Sequence, residues 1–303
     1  MRETVFEGLF PSFLITFREA LEAALIVAIM VSYLRKTGRE KLNRYVYSGA
    51  GNAILVSVVL AWLVQVLYGE LEGVAAQLFE GVASLMAAAV LTYMILWMTG
   101  HAKKIKGELQ GKIDVAITKG ELVGIATLAF IAVFREGLET VLFLTAAFFL
   151  DPLGVAVGVA LGSAIVLVLA ILLVGGIYLL DVRRFFKYTS ILLVLFAAGL
   201  AGYGVHELTE AAGGSGIDLG FLASPAYDIN PPGNLDGSYP LLHEKGVIGS
   251  VLKALVGYDG NPEWLRVGVY LGYWLIVGIY VLRTYQKASP IAVRETGMVK
   301  ARE

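Results

Sequence analysis

The chain has no cysteine among its 303 residues, which excludes disulfides, thiolate metal sites and thiol catalysis together. Charge is also scarce: Asp, Glu, Lys and Arg make up 16% of the residues and sum to a net charge of −1. No overall field draws such a chain to nucleic acid, so the position of each charge matters more than the total. With only three histidines, carboxylates and backbone oxygens are the main candidate ligands. A signal-peptide pattern is missing too. Residues 1–8 are not a basic leader, and the first apolar run is long and carries Arg18, so the first span is expected to stay in the mature protein. What the chain has in quantity is apolar residues, 57% of the total, with a mean hydropathy of +0.74. That predicts an all-α integral membrane protein.

Apolar runs of about 20 residues predict seven transmembrane helices, at roughly 10–34, 46–68, 78–99, 121–149, 153–180, 188–211 and 264–285. Lysine and arginine cluster after the first, third, fifth and seventh, as at Arg35, Lys36 and Arg39 or Arg183, Arg184 and Lys187. The positive-inside rule then puts the N-terminus outside and the C-terminus in the cytoplasm of a plasma-membrane protein. The segment 213–263, with GGSG, INPPGN and YDGNPE, reads as an extracytoplasmic loop. Within it, LLHEKGVIGSVLKALVGY has helical periodicity but is too short and polar to cross, and suits an interfacial helix or a cover over the outer mouth. The whole chain, 1–303, is expected to form one transmembrane domain. Glycines such as Gly154, Gly158, Gly162, Gly199, Gly202 and Gly204 suit close packing of the fifth and sixth helices.

A repeat stands out inside these apolar runs. FREALE, Phe17 to Glu22, lies in the first expected helix and FREGLE, Phe134 to Glu139, in the fourth. Copies separated by three spans cross in opposite directions, the arrangement of inverted-topology repeats, here about 10–99 and about 121–211 with a seventh helix added. Glu19 and Glu22, and likewise Glu136 and Glu139, share a helix face at i, i+3. Two facing helices would offer four carboxylates to one cavity near the membrane centre. Arg18 and Arg135 can be structural counter-charges, but ionisable residues at this depth cost about 2.5 to 3.5 kcal/mol each and usually mark a pathway. Glu80 near the outer end of the third helix, and His206, Glu207 and Glu210 near the outer end of the sixth, extend the set outward.

Carboxylates without thiolates suit a hard, multivalent cation. Four glutamates and two arginines leave a charge of −2, which one divalent ion neutralises; a trivalent ion calls for one more carboxylate, such as Glu207 or Glu210.

The paired motifs resemble those of the oxidase-dependent iron permeases, the membrane half of fungal high-affinity iron uptake, and their bacterial relatives. That family carries Arg-Glu-any-any-Glu in the first and fourth of seven helices, matched here by Arg18, Glu19, Glu22 and by Arg135, Glu136, Glu139. The likeness extends to Phe79–Gly81, to His206–Ala211 and to LKALVGY before the last helix. It departs at Ala20, where glycine is common in the family. The resemblance implies a transporter and not an enzyme, with iron as substrate, no cofactor, and ferric iron delivered by a separate extracytoplasmic oxidase or iron-delivery protein. Two alternatives stay open: a divalent carrier for ferrous iron or manganese, and a membrane di-iron oxidase, which typically uses Glu-any-any-His where this chain has glutamate.

Overall fold

The computed structural model describes residues 8–101, 105–118, 122–149, 151–174, 182–234 and 239–287. These form nine α-helices: α1 (Leu9–Lys36), α2 (Asn43–Gly69), α3 (Val74–His101), α4 (Ile105–Thr118), α5 (Leu122–Phe148), α6 (Pro152–Val174), α7 (Val182–Gly214), α8 (Val247–Val256) and α9 (Trp264–Lys287). The described residues contain no strand, only an isolated bridge between Pro225 and Glu263 that ties the long loop to the start of α9. The expected helix 153–180 is seen from 152 to 174, and its remaining residues lie outside the described ones.

Among the described residues, four helical stretches are long and apolar enough to cross a membrane: Glu40–Gly69, Val74–Trp97, Pro152–Leu172 and Tyr188–Gly214; Trp264–Tyr280 is a shorter apolar helix. The helices α1 and α5, of 28 and 27 residues, match them in length but carry a charged motif inside the apolar run, Arg18, Glu19 and Glu22 in α1 and Arg135, Glu136 and Glu139 in α5.

Helix α4 was not foreseen. Its sequence, IKGELQGKIDVAIT, is too short and polar to be read as a span, yet it folds back on the bundle. Ile113 is fully buried in an apolar cluster with Met30, Val31, Leu34, Val46, Ile125 and Ala129, and the Tyr33 hydroxyl donates to the Asp114 carboxylate at 2.6 Å. Helix α8 occupies the amphipathic stretch of the loop, packs on α7 and ends at Gly257. There φ is +71°, and the turn closes through Gly257 N–H to Lys253 O and Tyr258 N–H to Leu252 O.

Packing is organised in pairs: α1 against α6, α2 against α5, and α3 against α7, with α1 also crossing α5. Small residues decide the pairs. The buried stripe of α2, Val46, Gly49, Ala50, Ala53 and Ser57, has helical spacing and little bulk. A Cβ on Gly49 would collide with the Ala126 carbonyl of α5, and one on Gly158 of α6 with the Leu9 carbonyl of α1. Ala126 stands as far before Phe134 as Leu9 does before Phe17, so the two contacts occupy equivalent places around the two motifs. The same offset relates two phenylalanine stacks, Phe13 on Phe17 at 5.8 Å and Phe130 on Phe134 at 5.3 Å between centroids. Between α3 and α7 the approach is set by Gly81 and Gly204, whose added Cβ atoms would lie 2.9 and 2.8 Å from each other's carbonyl oxygens.

These contacts also give directions. Gly154, Gly158 and Gly162 meet α1 successively from Leu9 to Phe17, so α1 and α6 run parallel, as do α2 and α5 by Gly49 on Ala126 and Gly137 on Ser57. Asp151 bonds through its N–H to Ala147 O at the end of α5 and accepts from Gly8 N–H at the start of α1, so α1 and α5 run in opposite directions. A short turn at 70–73 makes α3 antiparallel to α2 and hence parallel to α1.

If close backbone approach sets these pairs, Gly49→Ala and Gly158→Ala each destabilise the detergent-solubilised protein by about 1–3 kcal/mol through overpacking. Gly51, on the same helix with no atom within 4 Å of an added Cβ, is the control. Thermal unfolding should show Gly51→Ala neutral or slightly stabilising, and equal tolerance at Gly49 would refute the packing account.

Candidate metal centre

The two motifs meet where α1 crosses α5. Arg18 is fully buried; its Nη1 donates to Glu19 Oε1 at 2.6 Å, and its Nη2 lies 2.9 Å from Glu22 Oε1. Nη1 also points at the Met94 sulfur of α3, 3.0 Å away. In the second motif the guanidinium behaves differently. Arg135 is 49% exposed, against 0% for Arg18, and its Nε donates to Glu139 Oε1 at 3.0 Å. Its Cζ lies 5.1 Å from the centre of the Trp97 ring, also on α3.

One carboxylate oxygen from each of Glu19, Glu22 and Glu136 comes within 4.8 Å of the others, so three ligand atoms from two helices converge on one point. Glu139 is turned toward Arg135 instead of joining this set. Glu19 Oε2, Glu136 Oε2 and Glu139 Oε2 are buried and have no hydrogen-bond partner among the described residues. An orphaned buried carboxylate oxygen costs several kcal/mol unless a cation or proton meets it, and here two of the three orphans belong to the converging residues Glu19 and Glu136. Oxygen donors at this spacing, with net negative charge, fit a hard or borderline cation.

The remaining candidates form a separate group at the α3/α7 crossing. Glu80 accepts hydrogen bonds from the Tyr68 and Tyr203 hydroxyls, each at 2.6 Å. Glu207 is half-buried and neighbours the same Tyr203 hydroxyl. His206 bridges two carboxylates: Nε2 is 3.5 Å from Glu210 Oε1, and Nδ1 is 2.6 Å from Glu263 Oε1. An ionised carboxylate can only accept, so Nδ1 carries the proton in that bond. Gln77 Nε2 donates to Glu210 Oε2 at 2.9 Å. Among the described residues, Glu80, His206, Glu207 and Glu210 do not share a compact ligand set with the motif glutamates.

Sequence reasoning missed Tyr68, Gln77, Met94, Trp97, Tyr203 and Glu263. The tyrosines, Gln77, Met94 and Trp97 carry no charge to draw attention inside an apolar run. Glu263, in NPEW, looks like an ordinary loop acid, but it stands at the start of α9, which packs on α7 and so brings it to His206.

A family match described as Iron permease FTR1 family covers residues 9–283. The chain belongs to the iron permease FTR1 family. Among curated relatives, an uncharacterised protein of Archaeoglobus fulgidus is 40% identical over 91% of this chain and 95% of its own length. A protein of Yersinia pestis named ferrous iron permease EfeU is 36% identical, covering 88% and 90% of the two chains. The protein of that name in Escherichia coli O157:H7 is 32% identical over 94% of this chain and 99% of the relative. No solved structure matches the chain. Membership of a permease family agrees with a bundle of apolar helices.

The His206–Glu263 bond predicts a pH signature. Burial alone would raise the Glu263 carboxyl, but its hydrogen bond from His206, with the charges of His206 and Arg266, outweighs burial and holds it below the usual glutamate range. A lowered folded pKa contributes stability above the unfolded value and loses it as pH falls through the folded one. The difference in thermal stability between wild type and Glu263→Gln should therefore be present at neutral pH and shrink below the ordinary glutamate value of about 4.3. A difference that stays constant from about pH 7 to about pH 3.5 would contradict the pairing.

Proposed function

We propose that the chain is an iron permease, a transporter without enzymatic activity. It takes up iron across the plasma membrane through the carboxylates of its two Arg-Glu-x-x-Glu motifs. The observation that carries this reading is the convergence of Glu19, Glu22 and Glu136, from two helices, on one point with buried carboxylate oxygens left over. Glu139 joins them when an ion draws it from Arg135. Arg18 and Arg135 offset half of the negative charge, and Glu80, His206, Glu207 and Glu210 receive iron from outside. Iron is cargo; no resident cofactor and no nucleic acid take part.

Seven spans support this reading best, with α1 and α5 crossing despite their motif charges, α9 as the seventh, and the N-terminus outside. The helices α1–α3 and α5–α7 form inverted repeats within a single transmembrane domain. Three observations support the repeat: the opposite directions of α1 and α5, the exchange of the α1/α6 pair for the α5/α2 pair, and the matched Gly49 and Gly158 contacts. Such a pair of repeats around a central site is the usual build of an alternating-access carrier.

Ferric iron handed over by a separate extracytoplasmic oxidase is what the family resemblance implies. The charge balance favours a second reading, since four glutamates and two arginines leave −2, matched by ferrous iron. The Yersinia relative's name, ferrous iron permease, agrees with it. A di-iron oxidase has less support, because among the described residues no histidine joins the converging glutamates.

Uptake of radioactive iron into proteoliposomes tests the proposal, with ferrous and ferric iron offered separately. The wild type should accumulate one of them, and the folded Glu19→Gln, Glu136→Gln double variant should lose about a hundredfold or more of the rate, at least the upper end of what losing a residue that only supports a metal ligand costs. No uptake of either ion, with tightly bound iron that consumes oxygen, would move the protein into the oxidase class.

A further inference from the structure

The two motifs are alike in sequence, yet their arginines are held in different ways. Arg18 is sealed inside the bundle on both of its own glutamates. Arg135 lies half-exposed, bonded to Glu139 and over the indole of Trp97. Glu136 is the residue next to Arg135, is 5% exposed, and has a buried Oε2 without a partner among the described residues. The nearest cation in sequence is therefore kept off the carboxylate that joins the metal-binding set.

Helix α3 supplies the neighbour of each arginine: Met94 for Arg18 and, one turn later, Trp97 for Arg135. Since α3 and α1 run parallel and α5 runs against them, Arg18 with Met94 lies at one end of the carboxylates and Trp97 with Arg135 at the other. A thioether is a weak acceptor that leaves Arg18 to its glutamates, whereas an indole face attracts a guanidinium by cation–π contact, most strongly for tryptophan.

We infer that Trp97 is a positioning residue of the iron site: its ring, together with Glu139, holds Arg135 away from Glu136 and so keeps Glu136 available to the ion. This rests on the permease reading. Without the ring, Arg135 swings to Glu136, fills the place of the cation and competes with iron. Trp97 acts only through Arg135, so its effect must vanish when Arg135 is absent.

The test is equilibrium iron binding to the full-length, detergent-purified protein, with ferrous iron under anaerobic conditions and ferric citrate in parallel. Each variant is checked for a monodisperse elution peak. Trp97→Leu should weaken binding about tenfold, within the range of a cation–π contact, and Trp97→Phe, which keeps an aromatic face, should recover most of the loss. Arg135→Gln should bind more tightly than wild type, because a competing positive charge is gone. The double variant Trp97→Leu, Arg135→Gln should match Arg135→Gln alone; Arg135→Met serves if the glutamine variant does not fold. Equal weakening by Trp97→Leu with and without Arg135 would make Trp97 a packing residue and overturn the inference. So would unchanged affinity in Trp97→Leu. If the wild type binds neither ion, the permease reading itself fails and this inference falls with it, an outcome distinct from wild-type binding that ignores Trp97.

Discussion

Burying charge in an apolar bundle is the constraint on which the rest of the structure depends. An ion taken out of water costs several kcal/mol even after relaxation, and an attractive partner offsets that only in good geometry. Two arginines and four glutamates sit where α1 crosses α5, and the geometry satisfies them unequally. Arg18 is fully buried between Glu19 and Glu22, whereas buried carboxylate oxygens of Glu19, Glu136 and Glu139 are left without a partner among the described residues. A bundle selected for stability alone would have little reason to keep such oxygens. A bundle that binds and releases a cation needs them.

The scaffold around the site follows from that need. Carboxylates from α1 and α5 approach one another only if these helices are held at their crossing, and each is braced along its length by a thin partner, α6 for α1 and α2 for α5. Glycines at 49, 137, 154, 158 and 162 bring backbone and side chain together without intervening bulk. Helix α3 runs past both motifs and touches both arginines, while its early turns cross α7 at Gly81 and Gly204 and hold Glu80 between two tyrosines. One helix therefore links the motif site to the second cluster of acids. On the far side, α4 inserts Ile113 among residues of α1, α2 and α5, which closes that end of the bundle with apolar contacts.

Much of this was legible in the sequence because it rests on local patterns. Apolar run length marked the helices, and the identical FRE and LE positions of the two motifs marked the crossing and its carboxylates. Glu139 shows the limit of such reasoning. Its i, i+3 spacing put it beside Glu136, but the rotamer that bonds Arg135 takes one of its oxygens away from the converging set. Trp97, Met94, Tyr68 and Tyr203 were invisible for a different reason, since an uncharged residue in an apolar helix gives no sign of which charge it will meet. Helix α4 was hidden by its two glycines and its charges, which argue against a span but not against a short helix anchored by Ile113 and by the Tyr33–Asp114 hydrogen bond.

The central claim is that the two motifs together form one oxygen-ligated iron site. Anomalous diffraction at the iron absorption edge, from crystals of the iron-loaded protein, tests it most directly. The account predicts an anomalous peak within coordination distance of the Glu19, Glu22 and Glu136 carboxylates, with Arg135 over Trp97. Iron found only among the Glu80, His206, Glu207 and Glu210 side chains, or no peak between α1 and α5 in a protein that still carries iron, would contradict it.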